Sequence, residues 1–195
     1  DNRFENISST DVQWENDKEG RTYISLDVQL EKMSKRYLNV VNPDDMVTQY
    51  GADTFRMYEM FLGPIDTAKP WDTNGISGVS NFLRKFWRLY FEDNGTKKSV
   101  AQEATAEELK ILHKTIKKIN DDIERLAFNT CVSTFMIGVN ELSKLKSVSA
   151  TTQQTLVRLI APFAPHTAEI LWTILGHTTC VVSEEFPVHD EQYLL

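Results

Sequence analysis

From Ile76 onward the apolar residues recur at intervals of three and four, the spacing that gathers side chains on one face of an α-helix. Ile76, Val79, Phe82, Leu83, Phe86 and Tyr90 share one face of a first segment. Leu109, Leu112, Ile116, Ile119, Ile123 and Leu126 share a face of a second, and Phe128, Val132, Phe135, Val139 and Leu142 of a third. Thr105 and Glu108 have the spacing of a capping box at the start of the second. Two shorter helices, Thr151 to Ala161 and His166 to Leu175, are expected on either side of Pro162 and Pro165, which cannot continue a helix. Amphipathic helices joined by short links predict an antiparallel bundle.

The pattern before residue 72 is different. Ile24, Leu26, Val28 and Leu30 alternate with polar residues, the period of a half-buried strand. Val12 and Trp14 can supply its partner, with Asn16-Asp17 and Glu19-Gly20 in the turn of a β-hairpin. Asn42 caps and Pro43 opens a helix that Asp44 and Asp45 complement and Gly51 ends. A second short helix runs from Ala52 to Leu62 and stops at Gly63-Pro64. The expected fold is mainly α: a small mixed α/β N-terminal piece over residues 1–72, then an antiparallel helical bundle over residues 73–195.

Composition narrows the class. Of 195 residues, 41% are hydrophobic and 25% charged, the balance of a soluble globular protein, and no apolar run approaches the roughly 20 residues that span a bilayer. No membrane role is expected. The chain starts at Asp1 without a secretory signal and is expected to be an excised piece. Cys131 and Cys180 stand apart with no C-x-x-C spacing, and the four histidines show no pairing. Neither a metal site nor a disulfide framework is expected, and a reduced, cytoplasmic setting is. A net charge of −7 argues as a sum against nucleic acid.

Distribution qualifies that sum. Lys110, Lys114 and Lys117 fall at i, i+4 and i+7 away from the apolar stripe, with Lys118 beside them. Arg84, Lys85 and Arg88 precede them, and Lys97 and Lys98 can extend the patch. Such a stripe can follow a phosphate backbone, although charge runs are usually solvated faces. Glu31-Lys32-Met33-Ser34-Lys35-Arg36 gathers three cations between an expected strand and a capped helix. Lysines on a mobile loop can close on a triphosphate as charge builds, yet a lone tetrapeptide is more often a basic turn.

Context reverses those odds. Lys32-Met33-Ser34-Lys35 is followed by Asn39-Val40-Val41-Asn42-Pro43-Asp44-Asp45 and Tyr50-Gly51-Ala52-Asp53-Thr54 with Arg56. Then come Tyr58-Glu59-Met60-Phe61-Leu62-Gly63-Pro64, Lys69-Pro70-Trp71, Gly75-Ile76-Ser77-Gly78-Val79, Phe128-Asn129-Thr130 and Ala161-Pro162-Phe163-Ala164-Pro165-His166. Together they resemble the KMSKS segment and following helical domain of class I aminoacyl-tRNA synthetases, within them the leucyl family. Arg36 stands where that family usually has a second serine, and Tyr37-Leu38 replace Lys-Gly.

The resemblance implies that Lys35 is the principal ATP-phosphate ligand, Lys32 the supporting cation, and Met33 and Ser34 the residues shaping the loop. It implies ATP and Mg²⁺ as cofactors, tRNA(Leu) as partner through Arg84, Arg88, Lys110, Lys114 and Lys117, leucine as substrate of the intact enzyme, and a monomer. The His-x-Gly-His signature and glycine-rich turn of the nucleotide-binding half are absent from the sequence, so this segment is expected to be inert alone. The alternative is a non-catalytic RNA-binding or protein-interaction helical module.

Other residues carry structural expectations. Trp71, Trp87 and Trp172 read as core anchors, His166 as ordering the start of the last helix, and Asn129 and Asn140 as buried hydrogen bonds between helices. Asp53 and Arg56 are expected to pair or to position the basic loop.

Overall fold

In the computed structural model, residues 14–16, 18–20, 22–24 and 32–195 are described, and seven α-helices hold about half of them. The first unit, Asp1–Val40, contains an antiparallel pair, β1 (Trp14–Asn16) and β2 (Thr22–Ile24), with Trp14 opposite Ile24 and Asn16 opposite Thr22. Gly20 supplies the positive φ, +77°, in the intervening turn. Val12 and the alternating run from Leu26 to Leu30 lie outside the described residues.

The second unit, Val41–Leu195, holds the helices. They are α1 (Pro43–Tyr50), α2 (Ala52–Phe61), α3 (Ile76–Trp87), α4 (Ala106–Glu124), α5 (Phe128–Leu142), α6 (Ala150–Ile160) and α7 (Pro165–Ile174). Asn42 caps α1 by accepting from the Asp44 amide at 3.2 Å, and Gly51, at φ +87°, separates α1 from α2. The compact units divide between Val40 and Val41 and not near residue 72. The reason is burial: α2 inserts Met57 and Tyr58 into the core and packs on α3, α5 and α7, so it belongs with the bundle.

The predicted stripes form that core. Ile76, Val79, Phe86, Ile116, Ile119, Val132, Phe135 and Val139 are nearly inaccessible, and Phe135 meets Phe163 edge-on at 5.2 Å. Leu126 departs from its stripe: it lies beyond the end of α4 in a left-handed conformation, φ 55°, and is exposed. Helices α4 and α5 are tightly apposed at Gly138, where an added Cβ would meet Thr115 Oγ1 at 2.6 Å.

Only half of the expected capping box forms. Thr105 Oγ1 accepts from the Glu108 amide at 3.1 Å. The Glu108 carboxylate, wholly buried, does not fold back but accepts from the Ser149 amide and hydroxyl, both at 2.8 Å. It thereby ties the start of α4 to the cap of α6. Trp172 is buried as expected, while Trp71 and Trp87 are half-buried, Trp71 edge-on to Tyr58 at 5.2 Å.

Candidate nucleotide loop and nucleic-acid interface

The loop after residue 31 is organised by short polar side chains. The Ser34 amide donates to Asn39 Oδ1 at 2.7 Å, and Ser34 Oγ accepts from the Arg36 amide at 3.2 Å. These bonds nucleate a 3₁₀ turn over Lys35–Tyr37, closed by Leu38 at φ 54°. With its backbone groups turned inward, the loop exposes Lys32, Met33, Lys35 and Arg36. Neither lysine has a carboxylate partner among the described residues. The arrangement offers two ammonium groups on a polar scaffold, chemistry suited to phosphate oxygens.

A second basic feature sits on α3. Ile76, Val79, Phe82 and Phe86 face the core, so residues 81, 84, 85 and 88 face outward. Arg84, Lys85 and Arg88 line a cavity of about 630 Å³ together with Lys98, Ser143 and Leu145. Lys98 is fixed by its amide, which donates to the Tyr90 carbonyl at 2.8 Å. Lys85 Nζ donates to Asn140 Oδ1 at 2.6 Å, bridging α3 to α5. Asn140 thus joins two helices, but at the exposed surface rather than in the interior. Arg88 pairs with exposed Asp93 at 2.9 Å, a contact that water screens strongly. Arg84 and Lys98 have no carboxylate partner among the described residues.

Two lysines of the α4 stripe are partnered by residues 189–195. Lys117 Nζ donates to Glu191 Oε1 at 2.8 Å and lies 3.4 Å from His189, while Lys110 Nζ donates to the Leu195 carbonyl at 2.8 Å. The His113 ring stacks on Tyr193 at 4.6 Å and accepts from the Asp190 amide at 2.9 Å. Residues of 189–195 therefore engage Lys110 and Lys117 while leaving Lys110 exposed. Lys114 remains exposed beside Glu107, Glu141 and Lys144, and Lys118 is paired with buried Asp122 at 2.6 Å.

Asp53 and Arg56 likewise serve a different purpose. Asp53 Oδ1 accepts from the His166 amide at 3.3 Å and lies 2.9 Å from His166 Nδ1; Oδ2 accepts from the Thr167 amide and hydroxyl, each at 2.6 Å. Arg56 Nε and Nη2 donate to the Pro162 carbonyl at 3.2 and 3.0 Å. One helical turn of α2 thus grips both sides of the proline corner between α6 and α7. Burial pushes the Asp53 carboxyl upward, but the bonds from Thr167 and His166 outweigh it and hold it below the ordinary carboxylate range. His166 orders the start of α7, as its place after Pro165 suggests. Its partner, 113 residues earlier, leaves no local signal in the sequence.

Residues 107–194 match the family model for the anticodon-binding domain of tRNA ligase. The leucine–tRNA ligase of Cytophaga hutchinsonii is 54% identical over 177 residues, covering 91% of this chain and 19% of that protein. That of Flavobacterium johnsoniae is 54% identical over 179 residues, covering 92% and 18%. Among solved structures, the agnB2 LeuRS of Agrobacterium radiobacter K84, in a ternary complex with tRNA and LeuAMS, superposes with a TM-score of 0.71 at 27% identity. That likeness covers 84% of this chain and 23% of the other. The chain spans about a fifth of the length of the curated relatives it matches.

Proposed function

Because the chain belongs to the leucine–tRNA ligase family, we propose that it supplies one jaw of the ATP clamp and a tRNA-binding helical domain to the ATP-dependent leucylation of tRNA(Leu). What carries the tRNA side is the gathering of Arg84, Lys85, Arg88 and Lys98 around one hollow on a chain of net charge −7. A concave basic site on an otherwise acidic surface focuses its field on a polyanion. Arg84 and Arg88 are its principal phosphate donors, with Lys114 of the α4 set beside them. Lys110 and Lys117 join them once the 189–195 stretch moves off α4.

On the ATP side, the hairpin and the loop act as part of the catalytic body. In adenylate formation the leucine carboxylate attacks the α-phosphorus, the α–β phosphoanhydride bond breaks, and pyrophosphate leaves with the charge. Lys35, supported by Lys32, stabilises that charge through its ammonium group, while Met33 and Ser34 set the loop's shape. Arg36 keeps a further cation where a serine is usual, with a planar fork in place of a small hydroxyl. In this reading Mg²⁺ comes with the ATP held by the rest of the enzyme. No helix among the described residues is long and apolar enough to cross a membrane, and the intact enzyme is proposed to work as a cytoplasmic monomer.

Leucine-dependent ATP–pyrophosphate exchange by the intact enzyme tests the ATP side. Lys35→Ala lowers it about a hundredfold, the scale of one missing charge-stabilising donor; an unaffected rate overturns the role of Lys35. Replacing Arg84 and Arg88 together by glutamate leaves exchange intact, weakens tRNA binding, and flattens its salt dependence by about one unit of slope for each phosphate that is no longer neutralised. An unchanged slope overturns the basic hollow.

A further inference from the structure

A second concavity adjoins the basic hollow. It encloses about 420 Å³ where α1, α2, α3 and the start of α7 meet, within the range of roughly 300–1,000 Å³ that accepts small ligands. Arg84 lines both this groove and the basic hollow, so the two are neighbours that share one side chain. The groove's chemistry is different. Trp87 forms an aromatic wall, with Phe91 stacked at 5.0 Å and 17° holding the indole in place. Gln49 presents an exposed amide and Ser80 a hydroxyl, groups that match the edge of a base. His166 stands at the rim with its side chain 74% exposed. Its Nδ1 is committed to Asp53 at 2.9 Å, which leaves Nε2 to face outward.

The Asp53 carboxylate also lines the groove, but its two oxygens already meet four donor groups of His166 and Thr167. It holds the imidazole in place without presenting a free anion to a phosphate. A rigid aromatic face, an amide and a guanidinium around one small volume are the elements that receive an unstacked nucleotide: stacking for the base, hydrogen bonds for its edge, charge for its phosphate.

We propose that this groove receives a single unpaired nucleotide of the bound tRNA, its base against Trp87 and its phosphate on Arg84, while the flanking backbone runs on into the Lys85–Lys98 hollow. The inference rests on the reading of that hollow as a tRNA-binding surface. Gln49 and His166 then act as contacts to the nucleotide's base or sugar, and Asp53 as the residue positioning His166.

The intact ligase carrying this chain provides the test, by equilibrium binding of a tRNA(Leu) transcript over a series of salt concentrations and by nucleotide-resolution chemical probing of the complex. Gln49→Ala weakens binding about tenfold with no change in salt slope, because the amide removed is uncharged, and His166→Ala weakens binding by a similar factor. Both also restore reactivity at one unpaired nucleotide protected in the wild-type complex. Trp87→Ala acts in the same direction, and the exposed Gln49 and His166 changes guard against a misfolded variant. Lys85→Glu with Lys98→Glu instead flattens the slope. If the lysine pair weakens binding while the groove variants change neither affinity nor protection, the groove proposal falls and the hollow stands. If neither set has an effect, both fall.

Discussion

Replacing Asp53 by alanine removes the cap of a helix that the residue does not belong to. Helix α7 begins with Ala164 and Pro165, and Ala164 has no side-chain acceptor for the first free amides. Asp53 meets those of His166 and Thr167 and adds a negative charge at the positive end of α7. A capping side chain contributes about 1 kcal/mol, and a hydrogen bond to a charged group about 1.5–3 kcal/mol. These contributions overlap because one carboxylate makes them all. The combined loss is about 3 kcal/mol, and it includes the penalty for stranding the amides and the Thr167 hydroxyl. For a chain of this size that lowers Tm by about 6–12 °C. Asp53→Asn keeps the shape and one acceptor and costs about half as much.

The acid dependence provides a second check. The folded pKa of Asp53 lies below its unfolded value, so its contribution is complete above about pH 4 and fades as pH falls through the folded pKa. Urea titrations of wild type and Asp53→Asn, followed by far-ultraviolet circular dichroism, should therefore converge as pH drops from 6 to 3. If Asp53→Ala costs less than about 0.5 kcal/mol, or if the gap to Asp53→Asn is constant with pH, the trans-cap reasoning is wrong.

Two further consequences follow from the packing. Gly138→Ala places a methyl 2.6 Å from Thr115 Oγ1 and 3.1 Å from its Cγ2 in the α4–α5 interface. It costs about 1–3 kcal/mol by calorimetry, and adding Thr115→Ala recovers most of the loss; an unchanged Tm for the single variant refutes this reading. The docking of residues 189–195 on α4 is acid-sensitive through His113, whose Nδ1 must be unprotonated to accept from Asp190. Burial lowers the His113 pKa, with His189 acting in the same direction and Asp190 opposing, while Lys117 and Glu191 pair beside it. Docking is therefore complete above about pH 6.5 and weakens as pH falls through the folded pKa. Protection of the Asp190 amide from hydrogen exchange should drop between pH 7 and pH 5 in the wild type; pH-independent protection would count against the His113 latch.

The interior was legible in the sequence because it follows a local rule. Val132, Phe135, Val139 and Leu142 recur at helical spacing and are all buried. Asn42, Thr105 and Gly51 mark helix ends through bonds within four residues of themselves, which a linear pattern can carry. The basic segment Lys32–Lys35 and the proline corner were also readable, as were the runs that led to the family. Lys98 drew notice only as an extension of the α3 patch, because its place opposite Ser143 depends on how a loop meets the end of α5.

Thus sequence by itself determined the helices, their buried faces and the kinship, since these depend on short-range periodicity, capping and residue identity. Tertiary structure decided which charged groups are available. It turned Asp53 and Arg56 from neighbours of a loop into a clamp on the α6–α7 corner, directed Glu108 from its own helix start to Ser149, and tied the 189–195 stretch to Lys110 and Lys117. Coulombic and hydrogen-bond partners are chosen by distance in space, and here they join residues 41 to 114 positions apart. A spacing rule that reaches only one or two helical turns cannot register them.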